Sequence, residues 1–260
     1  MEAYWHKQNP LAPLFPDIEW AKPEQRSKAG KLAVIGGNKL GFVAVAESYT
    51  TALDMGAGQV RAVLPDALKS AVPVTVTDVV FLPTNPSGGF SKEGSPELEA
   101  VSHWADVRLL VGDTGKNSET AVLFEDLLKL PGHLVITRDA ADLLRPAAQN
   151  LVDREQTTLV LSFAQLQKYF QAVYYPKILS FSMQLTQLVE ALHKFTITYP
   201  CTLVTFHNNQ LVVAHSGEVS TTPWDEPMLI WRGTVAARAA SYLLWSPSKP
   251  FDAITASLIF

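Results

Sequence analysis

Turns that follow apolar strands carry most of the groups in this chain that are able to meet a ligand. Gly36-Gly37 ends the β-branched run at 32–35, Gly112-Asp113-Thr114-Gly115 ends the run at 107–111, and Trp231-Arg232-Gly233-Thr234 opens an apolar helical stretch. Glycine lets backbone N–H groups approach an oxygen-rich ligand beyond the carboxyl end of a strand, and a helix N-terminus adds the positive end of its dipole. Arg232 with the N–H groups of Gly233 and Thr234 is therefore a candidate anion hold. Gly112 and Gly115 read equally as ligand positions or as plain turn glycines. Asp139, just past an apolar run at 134–137, either contacts a ligand or caps the helix at 140–144, and capping is the commoner role for such a residue. Lys116 either reaches a phosphate or is solvated. The six histidines lack metal-ligand spacing, and the single cysteine, Cys201, has no histidine partner in sequence and reads as a small buried hydrophobe.

These groups need a frame, and the alternation of the chain supplies one. Strand-like runs stand at 32–35, 59–64, 78–82, 107–111, 134–137 and 158–161, each mainly apolar without a regular polar alternation, as in a sheet covered on both faces. Helical stretches separate them, among them 97–104 and 118–130, the latter with Ser118 as N-cap and Val122, Leu123, Leu127 and Leu130 on one face. Gly56-Ala57-Gly58 joins the first helical stretch to the second strand, where tight packing is its simplest role. The alternation predicts a doubly wound α/β fold with a mostly parallel sheet flanked by helices. Two runs at 202–206 and 211–214, joined through His207-Asn208-Asn209, predict a small antiparallel edge hairpin. A long helix is expected near 178–195, and two apolar helices at 233–245 and 251–259 close the chain. Residues 1–30 read as an irregular lead-in packed on a single domain spanning 31–260.

A formal net charge of −4 without a basic stripe argues against nucleic acid or a membrane surface as partner. No run approaches the roughly 18 consecutive apolar residues of a membrane span. With one cysteine and no leader-like N-terminus, a cytoplasmic protein is expected.

In their order, the motifs resemble the ADP/ATP-dependent NAD(P)H-hydrate dehydratases, a ribokinase-like family that repairs hydrated nicotinamide cofactors. Val34-Ile35-Gly36-Gly37 looks like the family's Val-Ile-Gly-Gly, and Ala44 keeps the alanine of its Gly-Ala-Pro. Gly56-Ala57-Gly58 matches its Gly-Ala-Gly, and Val111-Gly112-Asp113-Thr114-Gly115 resembles its Gly-Pro-Gly-Leu-Gly. The resemblance implies NADH or NADPH hydrate as substrate, ATP or ADP as co-substrate with Mg, and a homo-oligomer. It implies substrate contacts at Ala44, Gly112, Gly115, Asp139 and Phe163, nucleotide contacts at Thr205, Asn208, Asn209, Arg232 and Gly233, and a catalytic position at Thr234. The apolar C-terminal segment from Ile254 to Phe260 is a second reason to expect self-association.

The departures fall on the chemistry. Phe163 and Gln165 stand where the family has its substrate histidine and the following glutamate. The nucleotide-cradling Lys-Gly-x-Gly is replaced by 205–209, and the catalytic aspartate of Gly-Gly-x-Gly-Asp by Thr234. A positioned acid/base supplies about 10²–10⁴-fold, and a threonine hydroxyl does not titrate in the useful range. An inactive or much weakened dehydratase relative is therefore expected. The alternatives are a non-enzymatic nucleotide-binding or protein-interaction module on the same fold, its cleft partly filled by Phe163, Phe206 and Trp231, and a small-molecule kinase of the ribokinase-like class.

Overall fold

The computed structural model describes residues 2–9 and 11–259. Ten strands form one sheet: β1 (Trp5–Lys7), β2 (Lys31–Gly36), β3 (Gln59–Pro65), β4 (Val79–Leu82), β5 (Val107–Gly112), β6 (His133–Thr137), β7 (Thr157–Leu161), β8 (Thr202–His207), β9 (Gln210–His215) and β10 (Glu218–Pro223), in the spatial order β1-β10-β9-β8-β7-β6-β5-β2-β3-β4. The six strands read from sequence are the parallel body, from β4 to β7. The hairpin is β8 with β9, paired antiparallel from Leu203↔Ala214 to His207↔Gln210. Asn208 and Asn209 close it in two residues at φ 48° and 56°, the left-handed turn that suits the twist of paired strands.

The hairpin continues outward. β10 pairs antiparallel with β9, and β1 pairs parallel with β10, so that the sheet edge on this side is the lead-in itself. The lead-in is thus not wholly irregular: besides β1 it carries the short helix α1 (Asp17–Trp20). Three residues of strand leave too short a period to see in sequence, and Glu218-Val219-Ser220-Thr221-Thr222 is too polar to stand out from a loop.

Alternate side chains along each strand serve two cores. Ala33, Ile35, Leu110, Leu134 and Ile136 pack with α3 (Ser95–Trp104), α4 (Ser118–Leu127), α5 (Arg138–Leu143), α6 (Ala148–Val152), α7 (Phe163–Ala172) and α8 (Leu185–Thr198). Leu32, Val34, Leu109, Val111 and Val135 pack on the other face with α1, α2 (Val43–Met55), α9 (Met228–Arg232), α10 (Thr234–Trp245) and α11 (Pro250–Ala256). A strand buried on both faces has no polar side to mark its period, which is why these runs are continuous in sequence.

Local chemistry moves several helix ends from their expected places. α4 is capped by Asn117, not Ser118: the Asn117 carboxamide oxygen accepts from the N–H groups of Glu119 (2.9 Å) and Thr120 (3.1 Å). Val122 lies outside the buried stripe of α4 and is exposed. α8 begins at Leu185, because Ser180 and Ser182 hydrogen-bond each other and the local backbone, while Gln184 and Gln187 form a reciprocal cap. The C-terminal segment packs into the core shared by α2, α10 and the sheet, with Phe251, Ile254 and Leu258 buried, so those side chains offer no exposed patch; Phe260 lies outside the described residues.

Candidate functional site

From β2 the chain runs outward to β3 and β4, then returns to β5 on the other side of β2. Open α/β sheets bind ligands at such a switch point, where the loops after the two strands diverge. Here the chain closes the gap with its own groups. Gly37 N–H donates to the Gly112 carbonyl at 2.7 Å, and the Asn38 side chain donates to the Asp113 carbonyl. The Asp113 carboxylate accepts the Ala44 N–H at 2.9 Å, in the first turn of α2, and holds Arg138 Nη2 at 2.5 Å.

Asp139 closes the neighbouring loop. Its carboxylate accepts backbone N–H groups from Asp113 (2.7 Å), Thr114 (3.0 Å) and Gly115 (3.2 Å). That converging set of donors is the arrangement that elsewhere binds a phosphate or carboxylate ligand. Asp139 is the second residue of α5 and does not cap it; the capping position belongs to Thr137. Gly112 is required by the same contact. Its φ is +113°, and an added Cβ would lie 1.9 Å from the Asp139 Oδ1. Asp113 and Arg138 also adopt left-handed backbone, at φ 57° and 56°. Such conformations cost about 1–3 kcal/mol each for residues with a side chain, and the surrounding network holds them in place.

Ala44 is buried at the start of α2 and presents its N–H to Asp113. Gly233, at φ +88°, ends α9 and opens α10, whose N-terminus has no side-chain cap. Ser48 Oγ and Arg138 Cδ adjoin Gly233, and Ser48 Oγ, Thr137 Oγ1 and Arg138 Nε are buried with no hydrogen-bond partner. Thr234 and Arg232 line a shallow groove with Glu47 and Leu229, on the α2 side of α9. Of the residues at the family nucleotide segment, Thr205 is fully buried within β8, while Asn208 and Asn209 form the hairpin turn and the backbone of Phe206 and His207 is paired with β9.

One open space at the carboxyl edge lies beyond β7 and β8. A cavity of about 380 Å³ is lined by Ser162, Phe163, Phe206, His207 and Asn208 from the strand ends, by Phe181, and by Pro227, Ile230 and Trp231 from α9 and its approach. Phe163 stacks on His207 with ring centroids 4.6 Å apart and meets Phe181 at 5.0 Å. The expected partial filling by Phe163, Phe206 and Trp231 thus takes the form of walls around a cavity. Ser162 and Gln165 form a reciprocal cap on α7, a Ser-x-x-Gln pattern visible in the sequence. A second cavity, about 610 Å³, holds Lys116, Arg145 and Lys168 beside Asp139 and Asp142. Asp113, Arg138, Phe181 and His207 carry roles that their own sequence positions did not single out. The best available signal was a charged residue directly after a strand, Asp113 inside the glycine turn that follows β5 and Arg138 right after β6.

Cys201 is fully buried, and burial pushes its thiol up to about 12, which removes it as a nucleophile. Among the described residues no group of three or more His, Cys, Asp or Glu stands together to hold a metal ion.

With this geometry, the fold is ribokinase-like. A ribokinase-like superfamily protein from Enterococcus faecalis superposes with a TM-score of 0.73 at 16% identity, over 100% of this chain and 86% of that one. More particularly, the ADP/ATP-dependent NAD(P)H-hydrate dehydratase of Bacillus subtilis, co-crystallized with ATP and Mg²⁺, superposes at TM-score 0.60 and 11% identity over 91% of this chain and 79% of that one. A phosphomethylpyrimidine kinase from Clostridium difficile gives 0.51 at 13% identity, over 82% of this chain and 91% of that one. No family model and no curated protein sequence matches the chain. At these identities the likeness is one of fold.

Proposed function

We propose that this chain is a ligand-binding relative of the NAD(P)H-hydrate dehydratases that carries out neither dehydration of NADH or NADPH hydrate nor phosphoryl transfer. The observation that carries the proposal is the pair Asp113 and Asp139, whose carboxylates already take the N–H groups of α2 and of the 113–115 loop. A ligand's anionic oxygens would have to displace them. Thr234 at the head of α10 supplies no titrating acid, which counts equally against the dehydratase and the kinase.

ATP or ADP fits the nucleotide segment poorly. Thr205 is enclosed, Phe206 and His207 run in the β8–β9 ladder, and the segment contains no glycine, so no glycine cradle faces the phosphates. A magnesium ion would depend on the phosphates themselves. One observation favours a second reading, in which weak nucleotide binding persists: the uncapped N-terminus of α10, with Ser48 and Arg138 beside Gly233, offers unsatisfied donors to an anion. A homo-oligomer and a cytoplasmic location remain part of the proposal on the family resemblance and the single buried cysteine.

The test is recovery of NADH absorbance from NADH hydrate with ATP or ADP and Mg²⁺ present, for the wild type and for Thr234→Asp. Neither is expected to turn over. If the missing acid were the sole defect, Thr234→Asp would gain about 10²–10⁴-fold. Turnover by the wild type refutes the proposal. Turnover by the variant alone shows that binding survived and that Thr234 silenced the enzyme. Millimolar ATP decides the second reading: binding at 100 times Kd stabilises by about 2.7 kcal/mol, a clear melting shift.

A further inference from the structure

We propose that the outer edge of β4 is a self-association surface, on which a second copy of this chain adds its own β4 antiparallel across a two-fold axis at Val80. The inference rests on the homo-oligomer proposed above and assigns its contact surface, which the buried C-terminal side chains do not supply. β4 ends the sheet, with β3 as its neighbour on one side. The Ala62 N–H donates to the Asp78 carbonyl at 2.9 Å, and Ala62 lies opposite Val79 in the register. In a parallel ladder that sets the alternation: Val80 and Leu82 turn their backbone groups towards β3, and Val79 and Phe81 turn theirs away. Among the described residues no backbone group outside the ladder hydrogen-bonds to the N–H or C=O of Val79 or Phe81. Val79, Val80 and Phe81 are half-buried, whereas β5 is buried throughout.

The two edges of the sheet are managed differently. Open edges are ordinarily blunted by a lysine, a proline, a bulge or a very short strand. β1 at the far edge follows that rule, with three residues of which the last is Lys7, its Nζ 4.5 Å from the Trp5 ring centroid. β4 carries none of these devices. Val79-Val80-Phe81-Leu82 is wholly apolar and regular in register. The nearest charge before it, Asp78, has its carboxylate held by Arg61 Nε at 2.8 Å, so no unpaired charge guards the edge.

The occupant follows from the spacing of the free groups, which sit at Val79 and Phe81 and are centred on Val80. A half-turn about an axis through Val80, perpendicular to the sheet, brings a second β4 alongside with its Phe81 opposite Val79 and its Val79 opposite Phe81. Both are hydrogen-bonded pairs, so every outward N–H meets an outward carbonyl, and the same patch serves on each copy. Side chains agree with this register. Val79 and Phe81 share the sheet face that packs with α2 and α10, so each end of the contact sets an aromatic ring beside a β-branched side chain. Val80 points to the other face and meets its own copy on the axis. A parallel strand could not be a two-fold copy, and its evenly spaced bonds would not close about one residue. Because the paired stretch is short, the dimer is of the weak, concentration-dependent kind.

The experiment is sedimentation velocity of the full chain, from low micromolar to several hundred micromolar concentration, for the wild type, Val80→Lys, Val80→Glu and an equimolar mixture of the two variants. The wild type is expected to pass from monomer to dimer over that range. Like charges facing each other on the axis should weaken the dimer about fivefold or more in either variant alone, and the mixture should restore it, because unlike charges then meet. Melting temperatures verify that the variants fold. Val80→Cys reads the same contact independently: Cys201 is fully buried, so mild oxidation should join two copies through the introduced thiols, much faster than in Val122→Cys on exposed α4 surface. A wild type that stays monomeric throughout overturns both this interface and the homo-oligomer. Oligomers that ignore both charged variants, or a mixture no tighter than either variant alone, overturn the interface and leave the homo-oligomer standing. Should a charged variant melt well below the wild type, Val80→Cys decides, and cross-linking no faster than in Val122→Cys overturns the interface.

Discussion

Replacing Asp139 with alanine should convert an internally filled anion nest into an empty one. The wild-type carboxylate accepts from three backbone N–H groups at 2.7, 3.0 and 3.2 Å. Hydrogen bonds to a charged group are each worth about 1.5–3 kcal/mol, but Asp139 is only half-buried and water replaces part of the loss, so a net destabilisation of about 3 kcal/mol is expected. For a chain of this size each kcal/mol lowers the melting temperature by roughly 2–4 °C, which places the variant about 6–12 °C below wild type. The exposed N–H groups should then accept an added anion. With sulfate at ten times its Kd, linkage returns about 1.4 kcal/mol, so part of the lost stability is recovered in the variant and not in the wild type. Differential scanning fluorimetry across a sulfate series, with sodium chloride at matched ionic strength, reads both effects. A variant that melts within 2 °C of wild type, or sulfate stabilisation equal in the two proteins, would refute the self-filled nest.

Gly112→Ala should be at least as damaging, because its Cβ would lie 1.9 Å from the Asp139 Oδ1 at a φ of +113°; a loss of about 3 kcal/mol or more in chemical denaturation is expected, and a loss below 1 kcal/mol would contradict the geometry. Stability should fall as the solution is acidified from neutral pH. Burial lowers the pKa of both His133 and His215 from the ordinary 6.5, so the unfolded chain binds more protons than the folded one below that value, and the loss sets in as pH falls through about 6.5 and continues to the lowered folded values. Melting temperatures from pH 8 to 5 check this, and His215→Gln should flatten the lower part of the curve.

The parallel body of the sheet was legible because its signal is local. Leu32 to Ile35, Val107 to Val111 (apolar but for the buried Arg108) and Leu134 to Thr137 are short runs bounded by turn residues, and burial on both faces leaves them few alternatives. The same holds for the Asn208-Asn209 hairpin, where two residues suited to positive φ define the turn. Phe163, Phe206 and Trp231 were readable as cleft residues through the family motifs they interrupt, and all three border one cavity.

What sequence alone determined is thus the alternation, the strands of the body, and the identity of the residues at the strand ends. Tertiary structure decided what those residues do. Asp139 reads locally as a helix cap, since a short acidic residue after a strand often finds the next helix's free N–H groups. It turns instead to the loop after β5, because parallel strands β5 and β6 bring residues 26, 25 and 24 positions away within hydrogen-bond distance. Asp113 and Arg138 meet for the same reason. β10 and β1 pair across more than two hundred residues, which no local window registers. Backbone period and turn chemistry act over a few residues and are written in the sequence, whereas a carboxylate's choice among competing N–H donors depends on which of them the folded sheet brings within about 3 Å.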